Sequence, residues 1–80
     1  FNPVTTINYD LPKDAYVNLV IYDILGREIV NLVGKDMPAG YQTVIWNTRN
    51  QFGSPVAAGI YFYQIQTRDF VKTKKMVLLK

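Results

Sequence analysis

The sequence predicts an all-β antiparallel sandwich of two sheets, and three observations lead there. Apolar and polar residues alternate along most of the chain, the two-residue period of a half-buried strand rather than the 3.6-residue period of a helix. Clusters of Gly, Pro, Asn and Asp punctuate the alternating segments at short intervals. Six tyrosines, four phenylalanines and one tryptophan supply the bulk that a small core needs.

The elements follow in order. In TTINYDL, residues Ile7, Tyr9 and Leu11 fall on one face, and Pro12 ends the strand. In YVNLVIYD, Val17, Leu19 and Ile21 form the expected inner face. Val20 and Tyr22 make the other face apolar as well, which suits a central strand. Asp23-Ile24-Leu25-Gly26 reads as a tight turn, with Asp23 capping through its side chain and Gly26 supplying a positive φ. REIVNLV does not alternate cleanly, since Ile29 and Leu32 lie three apart, and a bulge is expected there. KDMPAG reads as a loop. YQTVIWN resumes the alternation with Val44 and Trp46 directed to the core.

A polar stretch, NTRNQFGSP, precedes GIYFYQIQ, where Tyr61, Tyr63 and Ile65 share one face and Ile60 and Phe62 the other. After a turn near Arg68-Asp69 the last strand runs from Phe70 or Val71 to Lys80. These are six strands, with a seventh if Pro55-Val56 pairs briefly. The pattern suits an immunoglobulin-like sandwich in a single domain over residues 1–80, with a small barrel as the alternative.

Composition excludes several functions. The chain has no cysteine and no histidine, so it offers no disulfide, no thiolate metal site and no imidazole base. Its one serine, Ser54, sits in a Gly-Ser-Pro turn without a base to activate it. The six acids, Asp10, Asp14, Asp23, Glu28, Asp36 and Asp69, are scattered singly over strand ends and turns. No catalytic, cofactor or metal residues are expected. Loop-acid calcium binding has no EF-hand spacing behind it, and no apolar run reaches the roughly 18–20 residues of a membrane helix. The net charge of +3 is concentrated at the end, where five basic residues and one acid follow Thr67. That density falls short of a nucleic-acid surface; lysines on a final strand solubilise its edge.

The tyrosines and Trp46 admit two readings, a sugar-binding platform or core filling. The second accounts for most of them. Tyr61 in Gly59-Ile60-Tyr61 suits a tyrosine corner, hydroxyl on backbone and ring in the core. Tyr16 and Tyr22 are the rings expected to be exposed.

The order of features FNPVTTINYDLP, VNLVIYDILGREIVNLV, PAGYQTVIWN, VAAGIYFYQI and KKMVLLK resembles one family along the whole chain. It looks like the C-terminal sorting domain of the type IX secretion system, carried by secreted proteins of Bacteroidetes and related bacteria. A sister family, the immunoglobulin-like domain of the flagellar hook-capping protein, shares the strand pattern and a W-D-G-like corner. Here the corner reads Trp46-Asn47-Thr48. The sorting resemblance implies a seven-stranded immunoglobulin-like sandwich at the C-terminus of a longer secreted protein. It implies transport of a linked upstream cargo through the periplasm to the cell surface or medium. The implied partners are outer-membrane translocon components and a sortase-like peptidase. The implied recognition residues are Gly59 and Tyr61, then Lys74, Lys75, Met76, Val77, Leu78, Leu79 and Lys80, with Gly40-Tyr41 as a second motif. The hook-cap resemblance implies instead a structural or assembly role, and a carbohydrate-binding accessory module belongs to the same non-catalytic class.

One face of the final strand carries Lys72, Lys74, Met76, Leu78 and Lys80, and the other carries Lys75, Val77 and Leu79. If one face packs inward, the other displays apolar residues beside positive charge. A partner strand added to its edge would use main-chain hydrogen bonds for affinity and side chains for specificity.

Overall fold

Alternation converts directly into strands because successive side chains point to opposite faces. The computed structural model describes residues 4–79, and Lys80 of the terminal motif lies outside them. Six strands follow in order: β1 (Thr5–Leu11), β2 (Ala15–Asp23), β3 (Glu28–Met37), β4 (Gly40–Trp46), β5 (Gly59–Gln66) and β6 (Val71–Leu78). They form a two-stranded sheet, β1-β4, and a four-stranded sheet in the order β3-β2-β5-β6, with every pair antiparallel. The expected count was about seven. The Pro55 segment makes only an isolated bridge to Arg49 and no strand.

The core lies between the sheets. Ile7, Tyr9, Leu11 and Trp46 of the two-stranded sheet face Val17, Leu19, Ile21, Val33, Tyr61, Ile65 and Leu78 of the four-stranded sheet, all buried. The inner faces of β1, β2 and β5 are therefore those their alternation indicates. β2 is central, and its second apolar face is used: Val20 is buried although it points away from the core.

β3 departs from the sequence reading at its end. Lys35, Asp36 and Met37, expected in a loop, continue the strand because each pairs with a residue of the long β2. Backbone pairing with Val17, Tyr16 and Ala15 outweighs the weak strand preference of Lys and Asp. The expected irregularity is present as two register shifts, between Leu19 and Val20 and between Ile21 and Tyr22. They leave the β3 side chains without one clean inner face.

The turn after β2 is built as its residues suggest. The Asp23 carboxylate accepts 2.9 Å bonds from the Leu25 and Arg27 amides and 2.8 Å from Arg27 Nε. These bonds, the Arg27 amide first, hold its carboxyl below the usual carboxylate range. Gly26 closes the turn with φ of +83°.

Candidate functional site

The site the sequence singles out is the β5–β6 hairpin. Gly59 pairs with Leu78, Ile60 with Val77, Tyr61 with Met76, Phe62 with Lys75, Tyr63 with Lys74 and Ile65 with Lys72. Cross-strand partners share a face, so the hairpin sorts its residues cleanly. Tyr61, Ile65 and Leu78 are buried and Tyr63 and Met76 pack against the core. Ile60, Lys75, Val77 and Leu79 are exposed on the outer side, with Leu79 80% accessible.

The predicted recognition residues are therefore divided by depth. Tyr61 is a structural corner: its hydroxyl donates a 2.7 Å hydrogen bond to the carbonyl of Ala57, four residues back. Its ring meets Trp46 edge to face, with centroids 5.5 Å apart and an interplanar angle of 70°. Burial, and secondarily the charge of Asp23, pushes the Tyr61 phenol above its ordinary pKa. Gly59 opens β5 at φ of +146°, where a side chain would be strained. Gly40 opens β4 opposite Leu11, whereas Tyr41, beside Asp10 in the register, stands 90% exposed. Lys74, Lys75, Val77 and Leu79 reach solvent; Met76 is half-buried and Leu78 is core.

Trp46 holds the other end of this corner. It is wholly buried, and its indole N–H donates to the carbonyl of Arg49 at 3.0 Å. Two residues on, Thr48 adopts φ of +59° where the W-D-G pattern has glycine, and the chain turns there despite the substitution. Its hydroxyl donates to the Asn47 carbonyl at 2.7 Å.

The inward face of β6 changes character along its length. Leu78 and Met76 meet the core, but Lys74 and Lys72 are exposed. They line a cleft of about 470 Å³ between β1 and the β5–β6 hairpin, together with the apolar Tyr9, Tyr63, Ile65 and Phe70 and with Asp10 and Tyr41. Burial raises the Tyr9 phenol pKa there. Sequence reasoning did not find this cleft. Its one available signal was that two lysines share the parity of Met76 and Leu78.

A second, open depression is lined by Lys13, Asp14, Tyr16, Asp36, Arg68 and Asp69, and its charges are partly paired, Lys13 to Asp69 at 2.9 Å. Among the described residues no group of three or more Asp, Glu, His or Cys is placed to hold a metal ion. Tyr16 is exposed as expected, while Tyr22 is only half-exposed.

The two unequal antiparallel sheets, the tyrosine corner and the tryptophan-anchored turn define an immunoglobulin-like β-sandwich domain. Residues 3–69 match the model of the FlgD Ig-like domain, and the chain belongs to that family. The structure is similar to the crystal structure of FLGD from P. aeruginosa, with a TM-score of 0.77 at 19% identity. The likeness covers 95% of this chain and 60% of that one, so the chain spans under two thirds of that protein's length. At such identity it is a likeness of fold. No curated protein matches the chain. These findings back the hook-cap relation of the sequence; the type IX reading rests on its residues alone.

Proposed function

We propose that this domain is a non-catalytic, hook-cap-like assembly module that docks a protein partner on the β6 side of its four-stranded sheet. The observation that carries this is the position of β6. It ends the sheet, its outer edge is unpaired among the described residues, and it places Val77 and Leu79 in the open beside Lys75, next to Ile60 of β5. Exposed apolar residues rimmed by charge mark interaction surfaces, and an open edge offers main-chain bonds to an incoming strand. Membership of the FlgD Ig-like family supports an assembly role over a catalytic one.

The test is photo-crosslinking in the native cell from a photoreactive residue at Val77, with the exposed Phe52 of the β4–β5 connection as the comparison. A discrete protein adduct from Val77 and none from Phe52 is expected. Adducts from Phe52 alone would sink the reading.

A second reading is kept alive by one observation. The family match ends at residue 69, so β6 and its basic, apolar ending lie beyond it. That strand carries the type IX resemblance. On this reading the docking partner is the outer-membrane translocon, a sortase-like peptidase acts upstream, and the domain with its cargo reaches the cell surface or medium through the periplasm. A periplasmic reporter fused to this domain in a bacterium with the type IX system is then exported, and removing residues 76–80 from a fusion that still folds stops export. Export of that folded, truncated fusion would overturn the assignment of the terminal strand.

A further inference from the structure

The docking edge has a chemical preference, and it follows from three lysines. β6 carries Lys72, Lys74 and Lys75 and no acid. Lys72 and Lys74 point to the cleft side, and Lys75 points outward. Elsewhere Lys13 pairs with Asp69 at 2.9 Å and Arg27 with Asp23 at 2.8 Å, while Lys35, Arg49 and Arg68 form no ion pair among the described residues. Among the described residues, none of the β6 lysines forms an ion pair.

A second copy of the chain is poorly suited to this edge. Antiparallel pairing that continues the sheet with its inward faces together sets residues of equal parity opposite each other. The two longest such registers place Lys74 against Lys74, or Lys75 against Lys75, of the second copy. Like charges directly opposite are destabilising, and an edge lysine guards against self-pairing in this way.

We propose that the β6 edge selects an acidic extended segment of a partner protein, added as a further strand whose inward side chains enter the cleft between β1 and β6. This deepens the docking reading above and rests on it. Directly opposite residues share a face. The partner therefore carries carboxylates opposite Lys72 and Lys74 on its inward side and opposite Lys75 on its outward side. Opposite Met76 and Leu78 it carries apolar residues, which extend the core. Tyr9, Tyr63, Ile65 and Phe70 line the cleft and exclude water from part of the inward pairs, and partial desolvation strengthens such pairs. The lysines thus act twice, against a second copy and for an acid.

The experiment is an NMR titration of the 80-residue chain with a capped synthetic peptide, Val-Thr-Val-Glu-Glu-Thr-Glu-Thr, and with the same peptide carrying Gln for each Glu. Amide shifts along β6 and around the cleft are expected with the acidic peptide. The Gln peptide should bind about tenfold more weakly, the sum of three modest charge pairs. The difference should shrink in high salt. The combined variant Lys72→Glu, Lys74→Glu, Lys75→Glu should prefer a Lys-bearing peptide instead. Should that variant not fold, the salt titration of the unaltered chain decides. Equal binding of the Glu and Gln peptides, no binding of either, shifts away from β6, or self-association through β6 would each overturn the proposal. A crosslink from Val77 stands independently of these outcomes, so loss of the acidic preference and loss of the docking face are distinguishable.

Discussion

Tyr61 and Trp46 meet edge to face at 5.5 Å where β4 ends and β5 begins, each with its polar atom tied to backbone of the loop between them. Tyr61 holds Ala57 and Trp46 holds Arg49, so one aromatic pair fixes both ends of the long connection between β4 and β5. Edge-to-face rings contribute about 0.5–1.5 kcal/mol beyond their burial. The pair therefore orders the loop that delivers the chain into β5 and so sets where the β5–β6 hairpin begins.

Replacing Tyr61 by Phe keeps the ring and leaves the Ala57 carbonyl without its donor. A loss of about 1–2 kcal/mol is expected, read as a lower urea midpoint with an unchanged slope. An unaltered midpoint would remove Tyr61 from the corner role.

The same burial predicts alkaline sensitivity. Tyr9 and Tyr61 have phenol pKa values raised in the folded state. Their contribution is complete below the unfolded value near 10 and is lost as pH rises through the folded one, because the unfolded chain ionises first. Thermal midpoints should fall above about pH 10, and the fall should be shallower in Tyr61→Phe and Tyr9→Phe. Parallel profiles in all three proteins would contradict it.

Asp23 acts at the other extreme. Its folded pKa is lowered, chiefly by the Arg27 amide, so its stabilisation is present above the unfolded value and disappears as pH falls through the folded one. Asp23→Asn should lower stability at neutral pH and flatten the acid limb of the stability profile. If the two proteins keep the same gap down to the acid transition, the turn does not depend on the carboxylate's charge.

Leu78 and Leu79 separate folding from docking. Leu78 is 7% accessible and belongs to the core, whereas Leu79 is 80% accessible. Leu78→Ala should cost about 2–4 kcal/mol, a large share of what a domain this small possesses. Leu79→Ala should leave the denaturation midpoint within about 0.5 kcal/mol while weakening crosslinking from Val77. Equal destabilisation by the two changes would show that both serve the fold.

Tryptophan emission offers a further check. Trp46 is fully buried, so its fluorescence should be blue-shifted and inaccessible to iodide, and should not respond to polysaccharides. A quenchable or sugar-responsive signal would revive a carbohydrate platform.

Most of the fold was legible because local chemistry and tertiary need agree. Ile7, Tyr9 and Leu11, Val17, Leu19 and Ile21, and Tyr61 and Ile65 alternate in sequence and are buried in space, since a one-residue slip would turn each set to water. Asp23 and Gly26 announced their turn by side-chain chemistry. β3 resisted: its bulges shift parity, and its last residues become strand only because β2 is long enough to pair with them.

The hairpin was partly legible. Alternation alone divides Lys72, Lys74, Met76 and Leu78 from Lys75, Val77 and Leu79, and Tyr61 in its Gly-x-Tyr setting indicates a corner. Which face turns inward, and where cover ends, depends on the other sheet. Where the two sheets meet, Met76 and Leu78 join the core, whereas Lys72 and Lys74 border an open cleft whose other wall is β1. Strand period is a property of the backbone and is written in the chain. The boundary between core and cleft on β6 is a property of how two sheets lie against each other, and only their packing decides it.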